Sequence, residues 1–307
     1  MIDFKGVGYT YRSLLKRRRV RAVDAFTLSI AAGEVLGLAG PNGAGKTTLI
    51  ALMLGYLRPS DGDVRIDGQS PRSFVTRHGV GYLSELVNVP PRWTLEQALT
   101  RFALLAGIPD PELRARVEAV IQKLGIGEHR QKAIRQLSKG NLQRLGLAQA
   151  LLRDERVLIL DEPTHGLDPV WTQRFREIAA ELRRPDRVIF MASHNLDELQ
   201  RLADRVAIID RGRLQRVVVT RAASAVPDDG ARAPYLLAVA RGAELVRTVF
   251  PDARARARGE FELPPSDLGA LNRGLAELVA RGALVSLLTP VHTALEQQFR
   301  EAVGEES

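Results

Sequence analysis

Gly40-Pro41-Asn42-Gly43-Ala44-Gly45-Lys46-Thr47, preceded by the apolar run Glu34 to Ala39 and followed by Leu49 to Leu57, is the stretch on which the fold depends. It matches the pattern G-x-x-x-x-G-K-[ST], and it lies where that pattern has physical meaning, between a predicted strand and a predicted helix. Glycines allow successive backbone N–H groups to turn inward around phosphate oxygens, and a helix starting near Lys46 aims its positive dipole end at them. The spacing assigns Lys46 to the outer phosphates and the Thr47 hydroxyl to a divalent cation, with Thr48 near the innermost phosphate.

Further along the chain, Val157 to Leu160 is an apolar strand ending in Asp161-Glu162, and Val188 to Ala192 is another ending at Ser193-His194. Both are apolar throughout rather than alternating, as expected for strands covered on two faces. Carboxylates at such strand ends reach the carboxyl edge of an open α/β sheet, where ligands bind. Strands alternating with helices over residues 30–215 predict an α/β domain with a largely parallel sheet, interrupted by a helical insert around residues 93–153. Near the start, Val7, Tyr9 and Tyr11 share one face of a period-two pattern, and Ala22 to Ile30 is a second candidate strand. On the residues alone either ring, Tyr9 or Tyr11, suits a plain core face. His78, His129, His165 and His292 carry no expected role.

Composition narrows the class. The 307 residues are 45% apolar and 26% charged, an ordinary globular balance, with no cysteine for disulfide or thiolate chemistry. No apolar run reaches the 18 residues of a bilayer span, and Met1 to Gly8 lacks the layout of a secretory signal. From Ala222 onward there are 9 Arg and no Lys against 12 Asp and Glu, so the tail is net −3; the remaining 221 residues carry +11 of the total +8. A basic body suits phosphates, anionic lipid or nucleic acid alike. The run Lys16 to Arg19 reads as a solvated hairpin loop. Ala222 to Pro234 reads as a linker. Beyond it, strands at Tyr235–Ala240, Arg256–Leu263 and Ala283–Leu288 and helices at Ala243–Val249, Asp267–Ala280 and Val291–Ala302 predict a small α+β domain.

Leu137-Ser138-Lys139-Gly140-Asn141, followed by Leu142-Gln143-Arg144, opens a helix on an N-cap serine and has no place in an isolated phosphate loop. This segment resembles the L-S-G-G-Q signature of the ABC (ATP-binding cassette) ATPases in an L-S-K-G form. Gly166-Leu167-Asp168 is similar to the family's D-loop, His194 to its switch histidine, and Gly81-Tyr82-Leu83-Ser84-Glu85 stands in the place of its Q-loop. The resemblance covers residues 1 to about 219, and the tail is more loosely similar to the accessory domain of exporter-type cassettes. It implies an α/β P-loop NTPase cassette, with a RecA-like mostly parallel core, an antiparallel β subdomain and a helical subdomain, spanning 1–221, plus a C-terminal α+β domain over 222–307.

The same resemblance implies ATP and Mg²⁺ as ligands. Catalysis would fall to Glu162 as general base, His194 and Lys46; Thr47, Asp161 and Glu85 would face the metal. The nucleotide would be held by Tyr11, which resembles the family's adenine-stacking aromatic and has Tyr9 as its rival, and by Gly40, Pro41, Asn42, Gly43, Ala44, Gly45, Lys46, Thr47 and Thr48. Ser138 and Gly140 would be lent by a second cassette, identical or paralogous; Asn141, in the same signature, and Asp168, in the D-loop that links the two sites, would also be on the nucleotide. Lys139, Asn141 and Glu85 depart from the family's usual Gly, Gln and Gln. The implied setting is the cytoplasmic face of a membrane, beside a separate integral permease, powering transport (export by the look of the tail), with no nucleic acid as partner. A soluble ABC ATPase acting on ribosome, RNA or DNA is the rival; members of that kind carry two cassettes or long coiled coils, and this chain has one motif set and no sustained heptads.

Overall fold

The structure, a computed structural model, describes residues 1–12, 19–220, 233–257, 259–290 and 294–304. Lys16 to Arg18, most of the Ala222–Pro234 segment and Val291 to Thr293 lie outside the described residues. The chain divides near Thr220 into two compact units.

The first unit is organised around a six-stranded sheet ordered β5-β6-β7-β3-β8-β9, formed by β3 (Val35–Ala39), β5 (Gly81–Leu83), β6 (Val157–Asp161), β7 (Val188–Ala192), β8 (Arg205–Asp210) and β9 (Arg213–Val219). All pairings are parallel except β8 with β9. Every residue of β3, β6 and β7 is buried, which explains their unbroken apolar sequences. A second, antiparallel sheet has the order β2-β1-β4, from β1 (Ile2–Arg12), β2 (Arg19–Ile30) and β4 (Asp61–Ile66). The two sheets share a core in which Phe4, Phe26, Leu36, Phe190 and Ile209 are fully buried. Phe4 and Phe26 meet edge to face, with centroids 5.3 Å apart.

Helix α1 (Lys46–Met53) ends four residues before the expected Leu57: Gly55 adopts φ +70°, which stops the helix. Helix α2 (Pro71–His78), too polar for the periodic signal to reveal, starts on the Ser70 N-cap with Pro71 in its first turn. The insert between β5 and β6 holds α3 (Leu95–Leu105), α4 (Asp110–Lys123) and α5 (Lys139–Ala150). Thr94 and Gln97 close a capping box on α3, and Ser138 caps α5 by accepting from the Asn141 N–H. Helices α6 (Pro169–Glu181) and α7 (Leu196–Leu202) follow β6 and β7 and are capped by Asp168 and Asn195.

In the second unit β10 (Ala233–Arg241), α8 (Ala243–Val249), β11 (Arg254–Ala257), β12 (Glu260–Ser266), α9 (Leu268–Ala280) and β13 (Leu284–Pro290) form a sheet ordered β11-β12-β10-β13. This is the split β-α-β topology. The segment expected as one strand from Arg256 to Leu263 is a hairpin instead. Gly259, at φ +80°, turns the chain between β11 and β12, and a period-two pattern cannot reveal a turn of that length. The unit has its own core of Tyr235, Leu237, Val246, Phe250, Leu263 and Leu278. Helix α10 (Ala294–Val303) ends the described chain.

Candidate active site

Strand register brings the motifs to one place. Ala192 of β7 pairs with Leu38 of β3 on one side and with Asp161 of β6 on the other, so the three strands end in a row. The loop after β3, the acids ending β6 and Ser193-His194 after β7 therefore leave the same sheet edge. There they line a cleft of about 630 Å³ together with Tyr11, Val20, Ala22, Glu85 and His165.

The loop itself is conformationally exacting. Gly43 and Gly45 sit at φ +81° and +109°, and a β-carbon at Gly45 would lie 2.5 Å from the Ala22 carbonyl oxygen. Gly45 caps the start of α1 without a side-chain bond, so no capping side chain occupies the first helical N–H groups where Lys46 and Thr47 line the cleft. Lys46 arches back over the loop, its Nζ donating to the Gly40 carbonyl at 2.6 Å and the Pro41 carbonyl at 3.3 Å. Gly40, Pro41, Asn42, Gly43, Gly45, Lys46, Thr47 and Thr48 all line the cleft; Ala44 is turned into the core, 3% exposed. Tyr11, half exposed on the cleft, places its hydroxyl 3.4 Å from Thr48 Oγ1, whereas Tyr9 packs against the core.

Opposite the loop, Glu162 is 7% exposed and held at φ +49°, a left-handed backbone that costs a non-glycine residue about 1–2 kcal/mol. Its surroundings impose that geometry. The Glu162 N–H donates to the Ala192 carbonyl at 2.8 Å, and the buried Gln143 amide donates to the Glu162 and Pro163 carbonyls at 3.0 and 3.2 Å. The Glu162 carboxylate accepts from the Ser193 hydroxyl at 3.0 Å and the His194 N–H at 2.9 Å, and His194 Nδ1 lies 2.8 Å from Oε1. That contact sets the His194 ring beside the Glu162 carboxylate at the cleft.

Electrostatically the cleft holds surplus negative charge on its acid side. Asp161, 5% exposed, has its pKa pushed up to about 6, first by burial and then by the charges of Glu85 and Glu162, with Lys46 opposing. Burial lowers the Lys46 pKa against the pull of the same three carboxylates. Among the described residues no cluster of three or more His, Cys, Asp or Glu could hold a metal alone. Thr47, Asp161 and Glu85 nevertheless line one cleft with the phosphate loop. Such a donor set suits a Mg²⁺ shared between one or two carboxylates, a hydroxyl and substrate phosphates.

Ser138, Gly140, Asn141 and Asp168 do not line this cleft. Ser138 and Asp168 spend their side chains on helix caps, accepting from the Asn141 N–H at 3.2 Å and the Trp171 N–H at 2.9 Å. Asn141 is held by the buried Arg144 guanidinium, which also donates to the Gly125 carbonyl at 3.2 Å and lies 4.0 Å from the Trp171 ring centroid. Three residues of the site escaped sequence reasoning. Ser193 had a signal, adjacency to His194. Gln143 and His165 had none, because only tertiary folding brings them to Glu162 and to the cleft.

A glycine-rich loop between a buried strand and a helix start, sharing one cleft with a buried glutamate and an exposed histidine beside it, defines a nucleoside-triphosphate-binding α/β cassette. The family model described as "ABC transporter" matches residues 23–165. The chain is 40% identical over 199 residues to an uncharacterized ABC transporter ATP-binding protein, all4389, of Nostoc sp., which covers 64% of this chain and 59% of that one. It is 34% identical over 203 residues to the ABC transporter ATP-binding protein NatA of Bacillus subtilis, covering 65% and 82%. The dimeric, ADP- and Pi-bound ATP-binding cassette MJ0796 superposes with a TM-score of 0.66 at 21% identity, over 72% of this chain and 99% of that one. The chain belongs to the ABC transporter ATP-binding protein family. It spans less than three fifths of the length of the first curated relatives it matches.

Proposed function

We propose that this chain binds and hydrolyses Mg²⁺-ATP as one of two head-to-tail cassettes that drive a separate membrane permease. The observation that carries this is the Glu162 carboxylate, fixed by Ser193 and the His194 N–H in the same cleft as Lys46. Lys46 and the loop N–H groups would hold the outer phosphates, and Tyr11 would lie against the base. Glu162 would accept the proton of the attacking water, while His194, its ring beside the Glu162 carboxylate, would face the terminal phosphate. Thr47, Asp161 and Glu85 would hold Mg²⁺, which neutralises charge developing on the phosphate oxygens. Ser138, Gly140 and Asn141 at the start of α5, with Asp168, would complete the partner's site; their position off the cleft of their own chain supports that division. Among the described residues no helix is long and apolar enough to cross a membrane. We take the direction to be export, on the L-S-K-G form and the similarity of the C-terminal unit to exporter accessory domains.

The test is Glu162→Gln. A general base contributes ~10²–10⁴ in rate, so ATPase activity falls by that factor, roughly 3–5 kcal/mol of barrier, while ATP affinity persists. Light scattering with Mg-ATP should then find a trapped dimer. Near-native turnover in this variant would refute Glu162 as the base, and a persistent monomer would refute the paired cassette.

A further inference from the structure

His165 and Lys139 come from different elements and neither was expected to act. Lys139 is the first residue of α5, one past the Ser138 cap, and occupies a position where the family usually has glycine. Its stem lies across the turn at Gly166, where an added β-carbon would meet Lys139 Cγ and Cδ at 2.9 and 3.0 Å. Its Nζ reaches 2.7 Å from His165 Nε2. His165 in turn lines the phosphate cleft, its ring edge-on to that of His194 with centroids 6.4 Å apart. His194 Nδ1 lies 2.8 Å from Glu162 Oε1. An ammonium has donors only, so Nε2 of His165 must be the acceptor and the His165 proton sits on Nδ1.

We propose that the Lys139–His165 bond is an intrachain tether that makes His165 a positioning residue, tying the start of α5 to the wall of its own phosphate cleft. The proposal deepens the paired-cassette function and rests on it. Ser138 and Gly140 serve the partner's nucleotide in that arrangement, so the tether lets one cleft set the aim of the loop it lends to the other. Gly140 supports the same coupling: a β-carbon there would lie 3.0 Å from the Gly166 carbonyl oxygen, so the helix start and the turn are packed directly against each other. The tether also gives the lysine a partner within its own chain, in place of a phosphate across the dimer.

A double-mutant cycle on the full chain tests this, with Lys139→Met, His165→Leu and the pair, reading kcat and ATP affinity. Each single variant should lower kcat about three- to tenfold, as expected for loss of one partly exposed charged hydrogen bond, with ATP affinity changed less than about twofold. The double variant should be no slower than the slower single. His165→Gln, which keeps an acceptor near the Nε2 position, should recover most of the loss; a merely structural role would not distinguish it from leucine. Independently of turnover, Lys139→Met should shift the ¹⁵N resonances of the His165 ring in the nucleotide-free protein. Multiplicative losses in the double variant, or an unmoved His165 ring, overturn the tether while leaving the paired cassette standing. A Lys139→Met variant that loses ATP affinity or the trapped dimer when His165→Leu does not would assign the lysine to the partner's phosphate. Absence of ATPase activity in the unmodified chain would overturn both proposals.

Discussion

At the scale of single residues, Asp161 makes the clearest prediction. Its folded pKa, near 6, stands above the ordinary 3.8 because burial and two neighbouring carboxylates disfavour its charge. The folded nucleotide-free protein therefore binds more protons than the unfolded chain between those values, and the stability tied to Asp161 is lost as pH rises through about 4 to 6. Asp161→Asn should raise the thermal midpoint of the nucleotide-free protein at pH 7.5 and change it little at pH 4, by scanning calorimetry at both pH values. The same proton competes with a cation, so Mg²⁺-dependent ATP affinity in the unmodified chain should weaken as pH falls below about 6, measured by titration calorimetry. Much at this scale was legible beforehand, because Lys46, Thr47, Asp161, Glu162 and His194 sit in contiguous motifs. Ser193, Gln143 and His165 were not, since their contacts span 19 to 31 residues of chain or depend on how two loops meet.

Elements set where those residues point. Asp168 was expected to serve a nucleotide, and its carboxylate is the N-cap of α6. Asp168→Ala should cost about 1 kcal/mol, or about 2–4 °C in melting temperature. Asp168→Asn keeps the cap, so it should melt like the unmodified protein. An ATPase defect shared by both variants would then report the carboxylate's charge in the site, and a defect confined to alanine would report the cap alone. Helices α3 and α5 were predictable from periodicity and cap residues. Helix α2 was hidden by its polarity and β5 by its three residues, for neither length nor pattern rises above that of a loop. The β11–β12 hairpin was hidden likewise, as one glycine turn within a short alternating run.

On the scale of the whole molecule, the two units have separate cores, and damage to one should leave the other's chemistry in place. Phe250 packs its ring over Gly274 of α9, where no β-carbon could fit. Phe250→Ala should cost about 3–5 kcal/mol of the second unit's stability. Limited proteolysis should then cut between residues 233 and 290, while ATP affinity, measured with a fluorescent analogue, stays within about twofold. The sequence by itself determined the phosphate loop, the buried parallel strands and the acids at their ends. Each depends on local rules: glycine conformations, strand burial on two faces, and side chains at a strand's last residue. Only tertiary structure decided that three strands distant in sequence end in register, that Gln143 and Ser193 fix the Glu162 carboxylate, and that Lys139 meets His165. Sheet order and loop-to-loop contacts arise from packing the whole chain at once, and no local periodicity encodes them.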